Sequence, residues 1–434
     1  MTDLTLQDLD ADETIEQASP SLAGRKIMIY GMNYAPEMAG VGKYTGDIAV
    51  HFAESGAEVE VVTTPPHYPG WRVQDGYVNR YRTTQEGSIT VHRAPLLLRS
   101  KMSGVWRLLA PLSFAVTSAP VVFWKILTRR PQTVFCVEPT LLAAPVALFA
   151  AWLVGARTVL HVQDLEVDAA FAMGHLKHST LLRRFGQAFE RFVLKRFRHV
   201  VTISAKMAEK LVEKGCDPKR ISLIRNWVDL DHIFPLSGES VYRKELNFSD
   251  RDFVVLYSGN IGAKQGLDIL LEAAKHLQER ENLKFVIAGE GPVKSDLMAK
   301  YADLPNVRFL PFQPHQRLNE FLNCADLHAL MQEKGAADLV LPSKLGGMLA
   351  SGKRIVVTAD SGTELHDFLG EAAVFVETGN VGALADAILA LQQGSVPHYP
   401  EKSRTLAFAL AKDAALAQLV RLQANISGAQ EVLQ

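Results

Sequence analysis

Two lysines stand where a cation is both unusual and useful. Lys344 directly precedes the short apolar run Leu345 to Ala350, and Lys264 lies in the glycine-rich stretch Gly259 to Gly266, between an apolar strand and an amphipathic helix. The dipole disfavours an unpaired cation at a helix start, so Lys344 there suggests an anionic partner. Backbone N–H groups at a helix N-terminus face anions, and open α/β sheets take ligands in the crevice beyond their strands' carboxyl ends. A diphosphate held by Lys264, Lys344 and two helix starts meets all of these conditions. Two ordinary surface lysines are the plain alternative. No Gly-Lys-Ser/Thr run follows Gly259, so this is not a Walker-type loop.

Further polar groups gather nearby in sequence. The stretch Met331 to Asp367 carries Asp338 in a small-residue loop, then Leu341-Pro342-Ser343-Lys344, an apolar strand at Ile355 to Thr358, and a second polar loop from Asp360 to Glu364. Asp164 follows the buried strand Arg157 to Val162, where a carboxylate could orient a hydroxyl or cap the next helix. His161, within that strand, reads as a core histidine. Gly40 and Gly42, after the first strand, form either a plain turn or a place where backbone approaches a ligand.

The elements that must position these groups come in two sets. A length of 434 residues exceeds one hydrophobic core and implies two domains. Strands at Arg25 to Tyr30 and Glu58 to Thr63 flank a helix from Lys43 to Ser55, which is the opening of a doubly wound sheet. The pattern restarts with strands at Phe253 to Ser258, Leu283 to Ala288 and Val307 to Leu310. The expected divisions are a disordered acidic extension over 1–24, Rossmann-like domains over 25–228 and 229–405, and a C-terminal helical segment over 406–434 that crosses back to the first domain. A net charge of -1 gives no general attraction to nucleic acid. Three scattered cysteines form neither a disulfide framework nor a metal cluster, which suggests a reducing cytoplasm.

Between Leu96 and Ala156 the chain is strongly apolar. Pro111 and Pro120 interrupt the first part, so a buried helix pair or a surface dipping into a bilayer interface is expected rather than a transmembrane helix. Trp106 and Trp124 beside cations favour the interface. Leu141 to Val154 reads as a core helix. Lys177 to Arg198 is lopsidedly basic, either as a solvated face or as a surface attracted to anionic headgroups.

Together, Tyr30-Gly31-Met32-Asn33-Tyr34-Ala35-Pro36-Glu37, Thr64-Pro65-Pro66-His67-Tyr68-Pro69, the Gly259 loop and Leu341-Pro342-Ser343-Lys344-Leu345 resemble GT-B glycosyltransferases of the retaining family-4 kind. Within that group the chain is similar to the colanic-acid-type fucosyltransferases of exopolysaccharide assembly. The resemblance implies an α/β fold of two Rossmann-like domains facing a central cleft. It also implies a nucleotide-diphosphate sugar donor, GDP- or UDP-linked, and a polyprenyl-diphosphate-linked saccharide acceptor at the anionic inner face of the cell membrane, with no metal and no nucleic-acid partner. It assigns catalysis to Asp164, Lys264 and Asp338. Donor contacts fall to Gly40, Val41, Gly42, Gly259, Asn260, Lys264, Ser343, Lys344, Thr363 and Glu364. Asn260 stands where the family usually has an arginine, and Gly347 where it has a glutamate. The rival functions are a sugar-nucleotide 2-epimerase, which needs paired acid/base carboxylates, and a sugar-nucleotide-binding module without turnover.

Overall fold

A computed structural model describes residues 21–37, 40–68, 70–99, 105–139, 141–165, 180–333 and 341–428. Apolar strands alternate with helices that bury one side, a pattern that builds parallel sheets covered on both faces. The first half runs β1 (Lys26–Tyr30), α1 (Val41–Glu54), β2 (Glu58–Thr63), β3 (Arg82–Glu86), β4 (Ile89–Arg93), α2 (Val105–Arg129), β5 (Thr133–Glu138) and α3 (Ala144–Val154). It continues through β6 (Arg157–Val162), α4 (Thr180–Leu194), β7 (His199–Thr202), α5 (Ala205–Glu213) and β8 (Ile221–Leu223). Its sheet has the order β3-β4-β2-β1-β5-β6-β7-β8, and only the β3–β4 hairpin is antiparallel.

The second half begins with α6 (Val241–Glu245), β9 (Phe253–Ser258), α7 (Leu267–His276), β10 (Leu283–Ala288), α8 (Lys294–Lys300), β11 (Val307–Leu310), α9 (Leu318–Leu322) and β12 (Leu327–Leu330). Then come α10 (Leu345–Ala350), β13 (Arg354–Thr358), α11 (Glu364–Leu369), β14 (Val374–Val376), α12 (Val381–Gln392), α13 (Pro400–Ala409) and α14 (Lys412–Gly428). The order β11-β10-β9-β12-β13-β14 is parallel throughout.

The chain passes between the halves twice, side by side. Val228 N–H donates to the Leu410 carbonyl at 2.8 Å, and Lys412 N–H donates to the Val228 carbonyl at 2.9 Å. From there α14 returns to the first half, where Leu416, Leu419 and Val420 share a core with Ile48 and Phe52 of α1. The return begins after α13, so a boundary at 405/406 falls inside that helix. At the other end, Leu22 is fully buried and its N–H donates to the Ser55 carbonyl at 2.8 Å. The folded N-terminal half therefore starts before Arg25, while residues 1–20 of the expected acidic extension lie outside the described residues.

Two expectations in the apolar region change, and one strand is added. The prolines do not split α2, which is continuous over 25 residues with Pro111 and Pro120 inside it. Ala110, Phe114, Ser118, Val122 and Ile126 are all buried at intervals of four, and Ser118 hydrogen-bonds the Tyr30 hydroxyl on β1 at 2.6 Å. Burying that stripe outweighs the cost of about 3 kcal/mol for an interior proline. Helix α3 is only half core. Its alanines 144, 147, 150 and 151 are buried, while Phe149 and Trp152 face outward at 54% and 74% exposure. Strand β5, buried at every position, goes unseen in the sequence because it lies between two longer apolar runs.

Candidate active site

The carboxyl ends of both sheets face a cavity of about 310 Å³. Gly40, Val41, Tyr44, Gln163, Ile203 and Asn226 line it from the first half, and Lys264, Gln265, Gln332, Ser343 and Lys344 are among its lining from the second. Gly40 and Val41 are thus brought together with Lys264, Ser343 and Lys344, residues far apart in sequence. No carboxylate is among the described lining residues.

Lys344 N-caps α10, and its ammonium is buried with no hydrogen-bond partner among the described residues. It rests on the Tyr257 ring, 3.8 Å from the centroid. Burial without an ionic partner pulls it down to about 7, because desolvation penalises the charged form. Lys264, on a 3-10 turn after β9, is exposed. Asp164 faces it from the end of β6. That carboxyl touches solvent yet is walled by protein, so desolvation raises it above its ordinary range, and the Leu165 amide and the Lys264 charge pull it partly back.

The Gly259 loop differs from the expected array of free amides. Gly259 N–H donates to the Ala288 carbonyl and Ile261 N–H to the Glu290 carbonyl, both at 2.9 Å, and Gly262 N–H donates to Gln265 Oε1 at 3.1 Å. These three extend the sheet and close the turn, so they are not offered to an anion. Asn260 is exposed, and its carbonyl accepts from the Tyr257 hydroxyl at 2.6 Å. The cations, rather than this loop's amides, carry the positive field of the cleft.

Gly40 and Gly42 separate in role. Gly40 lines the cavity at φ 64°, a left-handed backbone that an L side chain resists. Gly42 instead makes room for Glu37, since a Cβ there would lie 2.7 Å from that of Glu37. The buried Glu37 carboxylate accepts from His67 N–H, Tyr68 N–H and Asn33 Nδ2, each at 2.9 Å, so it pins the aromatic loop to the first βα turn.

Thr363 and Glu364 are occupied by structure. Thr363 caps α11, its hydroxyl accepting from His366 N–H at 3.3 Å and donating to the Asp360 carbonyl at 2.9 Å. Glu364 is 3% exposed and reaches across to the first half. It accepts from Ala205 N–H at 3.2 Å and Lys206 N–H at 3.0 Å, the opening of α5, and is ion-paired with Arg225. Asp338 lies outside the described residues, as do the residues after Leu165 that would show whether Asp164 precedes a helix.

Gln163 and Asn226 were not anticipated. Gln163 Nε2 donates to Asn226 Oδ1 at 3.0 Å, and Asn226 Nδ2 donates to Gln163 Oε1 at 2.8 Å. The pair is backed by His161 Nε2, 3.1 Å from Gln163 Nε2. His161 is buried, and desolvation lowers it to about 3, so its ring is neutral and Nε2 can accept. The available sequence signal was position alone: Gln163 ends the same strand as Asp164, and Asn226 follows β8. Among the described residues, no three His, Cys, Asp or Glu side chains are grouped as a metal ion would require.

Comparison with known proteins fits this geometry. Residues 39–227 match the model described as Glycosyl transferase 4-like domain, and residues 252–393 match Glycosyl transferases group 1. The chain is 40% identical over 376 residues to the putative colanic acid biosynthesis glycosyl transferase WcaI of Escherichia coli K12, covering 84% of this chain and 91% of that protein. It is 25% identical over 223 residues to the probable glycosyltransferase WbjE of Pseudomonas aeruginosa, covering 51% and 55%. Among solved structures, sucrose-phosphate synthase of Thermosynechococcus elongatus superposes with TM-score 0.71 at 14% identity, over 93% of this chain and 100% of that one. WaaG, a glycosyltransferase involved in lipopolysaccharide biosynthesis, superposes with TM-score 0.62 at 17% identity, over 90% and 98%.

Two stability outcomes follow from the contacts around the cleft. Glu364→Ala leaves Arg225 and two helix-start amides without their partner, and is expected to cost on the order of 3 kcal/mol. Arg225→Ala added to it should cost little more, as read by urea unfolding. Gly42→Ala should cost about 1–3 kcal/mol through overpacking against Glu37, seen as a lower unfolding midpoint.

Proposed function

The chain belongs to the GT-B glycosyltransferases that join a 4-like N-terminal domain to a group 1 C-terminal domain. On that premise we propose that it transfers a sugar, with retention, from a GDP- or UDP-linked donor to a polyprenyl-diphosphate-linked saccharide in exopolysaccharide synthesis. The observation that carries this reading is the cleft lining: two lysines from the second half, one of them buried and unpaired, and no carboxylate among the described residues. Such a lining suits a diphosphate and gives no acid/base pair for epimerisation. The similarity to WcaI supports a place in colanic-acid-type assembly, with fucose the first sugar to test.

The reaction needs little from the protein beyond positioning and charge. The acceptor oxygen bonds to the anomeric carbon on the face from which the diphosphate departs. The bond from that carbon to the phosphate oxygen breaks, and the acceptor's proton passes to the leaving phosphate. Lys264 and Lys344 stabilise the charge developing on the leaving group, which is the electrostatic assistance that fixed cations supply in an enclosed site. The Gln163–Asn226 amide pair, on the opposite wall, addresses the sugar and acceptor hydroxyls, and Asp164, next along the chain and interacting with Lys264, acts beside it.

We further propose that the enzyme works in the cytoplasm, at the anionic inner face of the cell membrane. Helices α2, α3 and α4 share the core on one face of the first sheet. Outward they present Trp124 and Phe185, exposed by 65% and 71%, with Trp152 between them in chain order, and the exposed Arg184 and Arg191, with Arg196 just past the end of α4. Aromatic rings among cations fit a headgroup boundary. Helix α2 includes a 21-residue segment, Leu109–Arg129, long and apolar enough to cross a bilayer, but its stripe from Ala110 to Ile126 is buried in the domain.

Lys264→Ala and Lys344→Ala should each lower transfer of labelled sugar to a lipid-linked acceptor by about 100-fold or more. Isomerisation of free sugar nucleotide without acceptor would refute the transferase reading, and thermal stabilisation across a GDP- and UDP-sugar panel identifies the donor. Trp152→Ser with Phe185→Ser should abolish co-sedimentation with anionic phospholipid vesicles, while transfer to a water-soluble acceptor persists.

A further inference from the structure

Lys344 differs from Lys264 in a way that bears on the chemistry of binding. The Lys264 side chain stands in solvent, but the Lys344 ammonium is buried and has no hydrogen-bond or ion-pair partner among the described residues. Its nearest companion is a ring face, that of Tyr257. A ring can favour a cation, but it cannot replace the hydration shell that burial removes.

Among the described residues, the titratable and charged groups around it give it no counter-charge. Tyr257 lies beneath it on β9, its hydroxyl donating to the Asn260 carbonyl. Lys264 on the turn after β9 adds a like charge, and Tyr44 on α1 lines the same cavity. Arg225, beyond Ser343, is paired with Glu364. Asp164 lies past Gln163 and interacts with Lys264.

We propose that Lys344 takes up a proton as the diphosphate of a sugar nucleotide binds and returns it when the nucleotide departs. This inference rests on the donor reading above and adds a proton to its binding equilibrium. The cost of burying the ammonium is met only when two phosphate charges enter the same cavity, and the proton comes from bulk solvent. Burial holds the free amine at about 7, whereas a neighbouring diphosphate raises it. The sign follows. Above pH 7 the free protein has mostly lost this proton and must regain it on binding, so affinity falls as pH rises, by about tenfold per pH unit. A lysine in its ordinary range gives no such slope below about pH 9.

Calorimetric titration of the full chain with a GDP-sugar and a UDP-sugar tests this between about pH 7 and pH 8.5, above the value that burial sets for Lys344 and below the range in which the guanine and uracil N–H groups ionise. Their phosphates are diesters whose charge is fixed over that range, so proton exchange reports on the protein. Repeating the titration in buffers of low and high ionisation enthalpy counts the protons directly. The wild-type chain should take up close to one proton per sugar nucleotide near the upper end of the range, and its Kd should rise about tenfold per pH unit. Lys344→Arg, charged at every pH used, and Lys344→Met, charged at none, should both bind without uptake and without slope. Binding by the wild type without proton exchange overturns the proposal and leaves the donor reading standing. Uptake that persists in both variants also overturns it, assigning the proton elsewhere. If neither sugar nucleotide binds, the donor reading fails and takes this inference with it.

Discussion

A charge removed from water must be met by another charge or by hydrogen bonds, and buried carboxylates in both halves satisfy this requirement. Glu37 receives two amides and an Asn side chain, Glu60 is met by His92 and Arg129, and Glu364 by two amides and Arg225. Lys344 alone among these buried groups has no such answer in the described residues. Unmet buried charges are costly. A lysine left so in the wall of a cavity is a place where an entering anion would lower that cost. The other three are taken up within the fold: Glu37 holds the loop after β2, Glu60 ties β2 to β4 and α2, and Glu364 joins the two halves.

Those joints explain how two halves form one site. The chain crosses at Val228 and returns at Ala411, and the parallel bridge between these residues ties both strands of the hinge together. Helix α14 then anchors the second half's tail on α1, whose N-terminal glycine lines the cavity. On the far side, Glu364 reaches the start of α5. Lys264 and Lys344 in the second half and the Gln163–Asn226 pair in the first are thereby kept at a fixed spacing across the cavity, which is what catalysis by positioning requires.

The outer helices show a second division within the first half. Packing assigns the small residues of α3 and the four-residue stripe of α2 to the sheet, leaving the large aromatic residues outside. An apolar run read along the chain as one kind of surface is therefore two, with the core on one side and exposed aromatic rings on the other.

Sequence alone determined the parts that depend on local pattern. Strands such as Phe253–Ser258 and Leu283–Ala288 carry their own apolar signature, the restart after Pro235 reveals two domains, and Lys264 and Lys344 stand out because a cation beside a helix start needs a reason. Tertiary structure decided what depends on neighbours distant in the chain. Gln163 and Asn226 become one polar group only when β6 and the segment after β8 lie side by side. Glu364 turns from a candidate ligand contact into a joint because Arg225 lies opposite it, 139 positions earlier. Amides of the Gly259 loop are taken up by Ala288, Glu290 and the Gln265 side chain, and Gly42 serves Glu37 rather than a ligand. Spacing along a chain encodes periodicity and backbone preference, but which hydrogen-bonding group is left over for a substrate is fixed only after the fold has used the rest.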